Sequence, residues 1–171
     1  GGAGCLGSNL VERLIPAGHE ILVIDNFATG KREVLPPVPG LEVVEGSVAD
    51  EALVDRCFDQ FAPTHVIHSA AAYKDPDNWL EDADSNVRGT VNVVKASERL
   101  AVKQLVYFQT ALCYGRPDSV PIAVDAPTRP FTSYGVSKLA GEHFVSMAKV
   151  PWVSLRLANV TGPRLAIGPI P

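Results

Sequence analysis

Short apolar runs alternate with longer amphipathic segments along the chain. The runs at residues 20–25, 41–45, 64–68, 104–109 and 152–156 predict five β-strands, nearly all of them apolar on both faces. Apolar residues recur at helical spacing over residues 6–17, 50–61, 79–99 and 133–149, which predicts four helices, with Asp50 as the N-cap of the second. Residues 26–40 and 115–131 are rich in Gly or Pro and predict loops, the first with one helical turn.

Strands that alternate with helices of this length predict parallel βαβ units. We therefore expect an α/β fold with a Rossmann-like, doubly wound parallel sheet, forming one domain over residues 1–171. The chain opens inside a glycine turn and stops in a Pro-containing segment. We expect the strand before that turn, and a C-terminal substrate lobe, to belong to a longer protein.

Charge and cysteine content restrict the classes of partner. The net charge is −4, which argues against nucleic acid or an anionic membrane as the main partner. No apolar run approaches the roughly 20 residues of a membrane span. Cys5, Cys57 and Cys113 are widely spaced and lack metal-type clustering. We expect reduced thiols, no metal site and a cytoplasmic protein.

Three glycines spaced by three residues, Gly1, Gly4 and Gly7, stand directly before the first predicted helix. Such a turn lets the backbone approach a pyrophosphate and directs helix N–H groups toward it, although glycines also make ordinary tight turns. Asp25 ends the next strand, where an acid would bond a ribose 2′-hydroxyl. Because its carboxylate would repel a 2′-phosphate, NAD is favoured over NADP. The basic residues Lys31 and Arg32 are a signal in the opposite direction, but we interpret them as part of a solvated loop.

Small and polar residues mark the next strand end. Ser69, Ala70, Ala71 and Ala72 would let a flat ligand lie close to the backbone, and simple tight packing is the alternative. Asn86 has poor helix propensity within a predicted helix, so we expect it to be buried and hydrogen-bonded to neighbouring loops. His68 is interpreted as a core or supporting histidine.

Tyr134 and Lys138 lie four residues apart on one face of a predicted helix. A nearby ammonium would stabilise a phenolate and lower the tyrosine pKa, which suits an acid–base group. Such a pair alone is common on helices. Its combination with the glycine turn, and with Thr110 at the end of an apolar strand, predicts a catalytic site.

Seven segments together resemble the extended short-chain dehydrogenase/reductases of the NAD-dependent epimerase/dehydratase family. They are GGAGCLG, DNFATG, HSAAA, DSNVRGT, QTALCYG, YGVSK and LRLANVTGPR, and they cover essentially the whole chain. The resemblance implies an NAD-binding Rossmann domain with Thr110, Tyr134 and Lys138 as catalytic triad. It implies cofactor contacts from these three residues and from Gly1, Gly4, Cys5, Leu6, Gly7, Asp25, Asn26, Phe27, Ala28, Thr29, Gly30, Ser47, Val48, Ser69, Ala70, Ala71, Ala72, Tyr73, Asn86 and Ala158. Substrate contacts would come from Thr110, Tyr134 and Asn159.

Two positions depart from the family pattern. Ser47 stands where an Asp commonly contacts the adenine amine, so that contact is weakened. Cys5 occupies a position that is usually aromatic or aliphatic.

The residues after Thr110 bear on the reaction. Family dehydratases resemble one another in having acidic residues there, and related decarboxylases keep a Glu. This chain has Ala111 and Leu112, neither of which can transfer a proton. The resemblance therefore favours epimerisation at sugar C4 through a 4-keto intermediate. Segments 70–77 and 157–171 are similar to epimerases of bacterial surface-polysaccharide (O-antigen) biosynthesis that act on UDP-sugars.

Two alternatives remain open. A sugar-nucleotide or steroid-type dehydrogenase/reductase would use the same triad without returning hydride to the substrate. A non-catalytic NAD-binding sensor or scaffold would keep only the fold, and the intact Thr110, Tyr134 and Lys138 set speaks against it. The family also commonly forms homodimers through two long helices, here residues 79–99 and 133–149.

Overall fold

The computed structural model describes residues 1–165. This part of the chain contains five α-helices and five β-strands. In chain order they are α1 (Cys5–Leu14), β1 (Ile21–Asp25), β2 (Leu41–Glu45), α2 (Glu51–Phe61), β3 (His65–His68), α3 (Trp79–Asp82), α4 (Gly89–Arg99), β4 (Gln104–Thr110), α5 (Ser133–Ser146) and β5 (Trp152–Leu157). None of the helices within residues 1–165 has the length and apolar character needed to span a membrane. Residues 166–171 belong to the segment whose sequence is similar to surface-polysaccharide epimerases, and they lie outside the described residues.

The strands are all parallel, as predicted, but they form two sheets rather than one. β1 pairs with β2, and β3, β4 and β5 form a second sheet in that order. Gly1 connects the two: its backbone nitrogen donates to Ile24 O at 2.5 Å, and its carbonyl accepts from Ser69 Oγ at 3.2 Å. Within residues 1–165 no strand lies between β1 and β3, and the glycine turn runs between the two sheets.

Helices pack on both faces of β1. Val23 belongs to a core cluster with Val11 of α1 and with Leu35, whereas Ile24 packs against the main core formed by residues of α2, α4, α5 and the second sheet. The prediction of a doubly wound fold is therefore confirmed. The second sheet differs from this pattern. The described residues fully cover only one of its faces, the one that carries Leu105 and Tyr107.

Local hydrogen bonds explain where the helices begin and end. Asp50 Oδ1 accepts from Leu53 N at 3.0 Å, which confirms Asp50 as the N-cap of α2. α1 ends at Leu14, earlier than predicted. Ile15 keeps a helical conformation, but Pro16 has no N–H to continue the ladder of helical hydrogen bonds. The predicted loop 26–40 contains a short 3₁₀-helix at Arg32–Val34, as expected.

The helix predicted over residues 79–99 is interrupted. A π-helical segment, Ala83–Arg88, separates α3 from α4 and contains the buried Asn86. Segments of this type widen the backbone turn and occur frequently at functional sites. Here the wider turn aims a polar side chain into the protein interior.

Gly7 allows the glycine turn to pack against the start of α1. A Cβ atom on Gly7 would lie 2.5 Å from both Gly1 O and Gly2 Cα, closer than real Cβ contacts allow. Any larger residue would push α1 away from the turn. The N-terminal end of α1 therefore depends on glycine at this position for its place at the sheet edge.

We predict that Gly7→Ala lowers the free energy of unfolding by about 1–3 kcal/mol, because its methyl group would displace backbone atoms. On helix propensity alone the same change would stabilise the protein by about 1 kcal/mol, so the sign of the effect is diagnostic. Urea unfolding measures it. Gly162→Ala is the control, since a Cβ atom there meets nothing within 4 Å. Equal or greater stability of Gly7→Ala would contradict this packing.

Candidate active site

The N-terminus of α1 and the glycine turn border a cavity of about 190 Å³. Gly4, in extended conformation, is the N-cap of α1 and makes no side-chain capping bond, which leaves the first N–H groups for a ligand. Cys5 donates through its thiol to Pro163 O at 3.4 Å. The cavity is lined by Ala3, Gly4, Cys5, Thr29, Lys31, Val34, Tyr73, Arg164 and Leu165. The predicted cofactor residues Gly4, Cys5, Thr29 and Tyr73 therefore surround one space, and Lys31 lines it rather than only facing solvent.

Asp25 ties the glycine turn to the end of β1. Its Oδ2 accepts from Ala3 N at 2.8 Å and its Oδ1 from Phe27 N at 2.8 Å. The carboxylate is buried, at 6% exposed. Asn26 Oδ1 accepts from Ala28 N at 3.1 Å and shapes the same loop. Asp25 thus has a clear structural role, and its contact with a ribose hydroxyl stays a prediction.

Ser47 and Val48 make contacts within the protein. The Val48 side chain lies in the main core, and its carbonyl accepts from Asn92 Nδ2 at 3.0 Å. Ser47 Oγ accepts from Ala49 N at 3.1 Å. Neither residue lines the 190 Å³ cavity. Their predicted position beside adenine stays a prediction.

Asn86 holds the loop that follows β3. Its Oδ1 accepts from Ala72 N at 2.9 Å, and its Nδ2 donates to Ala72 O at 3.0 Å and to Ser137 Oγ at 3.0 Å. The expectation that Asn86 is buried and bonded to a neighbouring loop is confirmed. Through this one amide the loop at residues 69–73 is fixed to α5, beside Lys138.

His68 lies in the core, as expected. It is 3% exposed, and its Nε2 lies 2.9 Å from Thr90 Oγ1. Because the Thr90 hydroxyl donates its proton to Asn86 O, the hydrogen-bonding pattern assigns a proton to His68 Nε2. Burial, followed by the nearby Lys138 ammonium, lowers the pKa of His68. A neutral imidazole is therefore a supporting group at this position.

The predicted triad residues lie on two elements that meet at one end of the sheet. Thr110 ends β4, and Tyr134 lies in the first turn of α5. A Cβ atom on Gly135 would lie 3.2 Å from Leu112 O, so α5 begins close against the turn that follows Thr110. The ring centroid of Tyr134 lies 6.3 Å from that of Tyr73, in edge-to-face orientation. Tyr134 therefore stands beside the loop that borders the cavity.

Lys138 is almost completely buried, at 1% exposed, and its Nζ lies 4.1 Å from the ring centroid of Tyr107. Burial lowers the pKa of Lys138 to about 7, against the opposing effect of the Glu142 carboxylate. The aromatic ring face compensates part of the lost hydration of the ammonium.

The expected lowering of the tyrosine pKa by Lys138 is wrong for this structure. Burial, followed by the smaller effects of Tyr73 and Asp82, raises the pKa of Tyr134 to about 12. The reason is geometric, because the ammonium lies against the Tyr107 ring and makes no hydrogen bond to the Tyr134 hydroxyl among the described residues.

Sequence reasoning missed a buried polar network behind the triad, made of Gln109, Glu142 and Arg156. Arg156 donates to both carboxylate oxygens of Glu142, with Nη2 at 3.0 Å from Oε2. An arginine inside an apolar strand, and a glutamate four residues after Lys138, were the available signals. Ala158 and Asn159 directly follow β5 and are exposed, so their predicted ligand contacts stay predictions.

A family model matches nearly all of the chain. Residues 1–169 match the NAD dependent epimerase/dehydratase family. The chain belongs to this family. The resemblance noted from its sequence motifs is thereby confirmed.

Curated relatives in this family include two bacterial UDP-glucose 4-epimerases. That of Lacticaseibacillus casei is 34% identical over 95% of this chain and 50% of its own length. That of Streptomyces lividans is 35% identical over 85% of this chain and 45% of its own length. The chain thus spans about half the length of the curated relatives that it matches.

Solved structures of the same family have nearly the same backbone. The Bordetella bronchiseptica enzyme WbmG, crystallised with NAD and UDP, is 72% identical with a TM-score of 0.96 over 98% of this chain and 54% of that chain. WbmH of the same species, crystallised with NAD+, is 46% identical with a TM-score of 0.95 over 98% of this chain and 56% of that chain.

We predict that the buried Lys138 makes stability depend on pH. Since its folded pKa of about 7 lies below the ordinary value of 10.5, the unfolded chain binds more protons between those pH values, and the free energy of unfolding rises with pH. The contribution is at most about 1.4 kcal/mol per pH unit. Between pH 7 and 9, urea unfolding should give a steeper rise for the wild type than for Lys138→Met. Lys149→Met, at an exposed position, should follow the wild type; parallel curves for all three proteins would contradict the burial of the ammonium.

Proposed function

We propose that this chain is the NAD-binding part of a sugar-nucleotide epimerase that inverts C4 of a UDP-sugar through a 4-keto intermediate. The observation that carries the proposal is the position of Tyr134, which stands at the sheet end beside Tyr73 and the loop clamped by Asn86. Relatives named UDP-glucose 4-epimerase, and related structures crystallised with NAD or UDP, support it.

The residues present fit a dinucleotide. The glycine turn leaves the N-terminus of α1 open beside the 190 Å³ cavity, which suits an anionic pyrophosphate. Asp25 lies at the end of β1 and favours NAD over NADP. When bound, NAD would supply the acceptor and subsequent donor of hydride for the sugar carbon.

Each residue of the triad has a distinct part in the proposed reaction. The Tyr134 phenolate removes a proton from the sugar C4 hydroxyl and returns it after the keto sugar has rotated to present its opposite face. Thr110 donates a hydrogen bond to the substrate oxygen and steadies it. Because burial makes the phenolate costly, Tyr134 needs a positive charge in the loaded site. Lys138 would bind the nicotinamide ribose.

The residues after Thr110 favour epimerisation over elimination of water. Ala111 and Leu112 form the first turn after β4 and carry no proton-transferring group. A dehydrogenase or reductase of the same superfamily is the second candidate, because its triad would be identical. A non-catalytic NAD-binding protein is disfavoured by the complete triad.

We assign the enzyme to surface-polysaccharide (O-antigen) biosynthesis in the cytoplasm. Support comes from the segment at residues 70–77, which resembles that subgroup. No metal and no nucleic acid are needed for the proposed chemistry.

We further propose that the protein forms a homodimer through α3, α4 and α5. Trp79 and Leu80 on α3 are 69% and 80% exposed, and Met147, directly after α5, is 72% exposed. Phe144 of α5 adds to the same apolar set. Large apolar side chains exposed in a group are typical of a protein–protein contact.

Replacing Leu80 and Met147 by Glu should convert the full-length dimer to a monomer, because a symmetric contact would bury the two added carboxylates in each subunit. Sedimentation velocity measures the change. Val120→Glu is the control: it also adds a charge at an exposed apolar position, but in the loop between β4 and α5. A double variant that still sediments as a dimer would place the interface elsewhere.

Tyr134→Phe should lower turnover of the full-length protein by about 10²–10⁴-fold, because it removes the acid–base group. NAD affinity should remain within a few-fold of wild type, since the phenyl ring keeps its packing against Tyr73. The assay incubates the protein with a panel of UDP-hexoses and UDP-uronic acids and resolves the epimers by chromatography. Stoichiometric release of NADH would favour the dehydrogenase, and undiminished epimerisation by Tyr134→Phe would refute the proposed base.

A further inference from the structure

The side-chain amide of Gln109 joins the two elements that carry the predicted triad. Its Oε1 accepts from Thr110 N at 2.8 Å, and its Nε2 donates to Lys138 O at 3.0 Å. Gln109 is 2% exposed, and both ends of its amide have partners. The end of β4 is thus fixed to the turn of α5 that carries Lys138 by one rigid planar group.

Glu142 sets the orientation of that amide. Its Oε2 accepts from Gln109 Nε2 at 3.2 Å, and because an ionised carboxylate can only accept, the Gln109 nitrogen must face it. Burial by itself would raise the pKa of Glu142. The hydrogen bonds from Arg156, Ser154 and Gln109 outweigh that effect and lower it, so the carboxylate stays ionised at neutral pH.

Arg156 neutralises Glu142 and extends the network to the loop before α5. Its guanidinium donates to both oxygens of Glu142, and its Nη1 donates to Tyr114 Oη at 2.9 Å and to Val124 O at 2.9 Å. Ser154 Oγ donates to Glu142 Oε1 at 2.6 Å. β4, α5, β5 and the intervening loop therefore meet at one ion pair.

A partly buried ion pair such as this one is weak evidence for stability, because desolvation of the charges offsets much of their attraction. The direction of the bonds is more informative. The series of hydrogen bonds runs from Arg156 to Glu142 to Gln109 and ends on the peptide groups of Thr110 and Lys138. It contacts neither the Tyr134 hydroxyl nor the cavity beside the glycine turn.

We infer that Gln109 and Glu142 are positioning residues, which hold Thr110 and Lys138 in fixed relation so that the triad meets the reacting sugar carbon correctly. This inference rests on the proposed function for its kinetic consequence. It predicts a loss in kcat rather than in substrate binding, because small displacements of catalytic groups reduce the rate steeply.

The test replaces Gln109 by Met, which keeps the length of the side chain and removes all three hydrogen bonds of its amide. In the full-length, NAD-loaded protein we expect kcat to fall by about 10–100-fold while KM stays within about threefold. Asp55→Asn is the control, since it breaks only the exposed pair with Arg99 and should keep wild-type kinetics. A wild-type kcat for Gln109→Met in folded protein would overturn the inference and leave the proposed function intact.

A second readout does not need turnover. The Lys138 side chain is faced by Tyr107 from β4, His68 from β3 and Glu142 from α5, all of which remain in Gln109→Met. If the helix turn loosens, water reaches the ammonium, and its pKa, measured by NMR of labelled lysine, should rise by at least about one unit. An unchanged value would overturn the inference even if no sugar is epimerised.

Glu142→Gln provides the test if Gln109→Met fails to fold. Its amide oxygen can still accept from Gln109, but the charge that orients the network is lost. We expect kcat to fall by about tenfold at unchanged KM. A fall in Tm with wild-type kcat would assign the network a purely structural role and overturn the inference.

Discussion

The buried side-chain amide of Asn86 connects parts of the molecule that would otherwise be held together only by packing. It bonds both peptide groups of Ala72 and the hydroxyl of Ser137, so the loop after β3 cannot move without α5. Unsatisfied polar groups in a protein interior cost about 1–3 kcal/mol each, which makes this arrangement strongly preferred over any shifted one. The Asn86 amide therefore fixes the position of α5, which carries Tyr134, relative to the cavity beside the glycine turn.

The burial of Lys138 shows how the same geometry shapes the chemistry. An ammonium without water is costly, and the protein offsets that cost with the ring of Tyr107 and with the Glu142 carboxylate on the next turn of α5. Glu142 is in turn paired with Arg156. The charge on the lysine is thus adjusted by groups that do not line the cavity beside the glycine turn. Tyr134, with a raised pKa, stays neutral in the chain alone and requires the loaded site to ionise.

Much of the fold was predictable because it depends on local patterns. All five strands were located within a residue or two, since apolar runs of this length suit buried parallel strands, and Asp50 was identified as an N-cap from its side chain alone. The π-helical turn at Asn86 could not be predicted, because it results from bonds to Ala72 and Ser137, which are distant in sequence.

Sequence patterns predicted only part of the candidate site. The glycine turn, Tyr134 and Thr110 were recognised from residue types and spacing, whereas the direction in which Lys138 points required the packing of β4 against α5. Gln109, Glu142 and Arg156 were missed because each is ordinary by itself, and only the three-dimensional contact makes them a network.

The most direct test of the account is a crystal structure of the full-length protein with NAD, from which the distance between the nicotinamide C4 and the Tyr134 hydroxyl is measured. We expect a separation of roughly 5 Å or less with the pyrophosphate at the start of α1, because the hydroxyl and the nicotinamide must each approach within about 3.5 Å of the atoms that react at one sugar carbon. A nicotinamide more than roughly 10 Å from that hydroxyl, beyond the reach of any proton and hydride transfer at one sugar carbon, would contradict it.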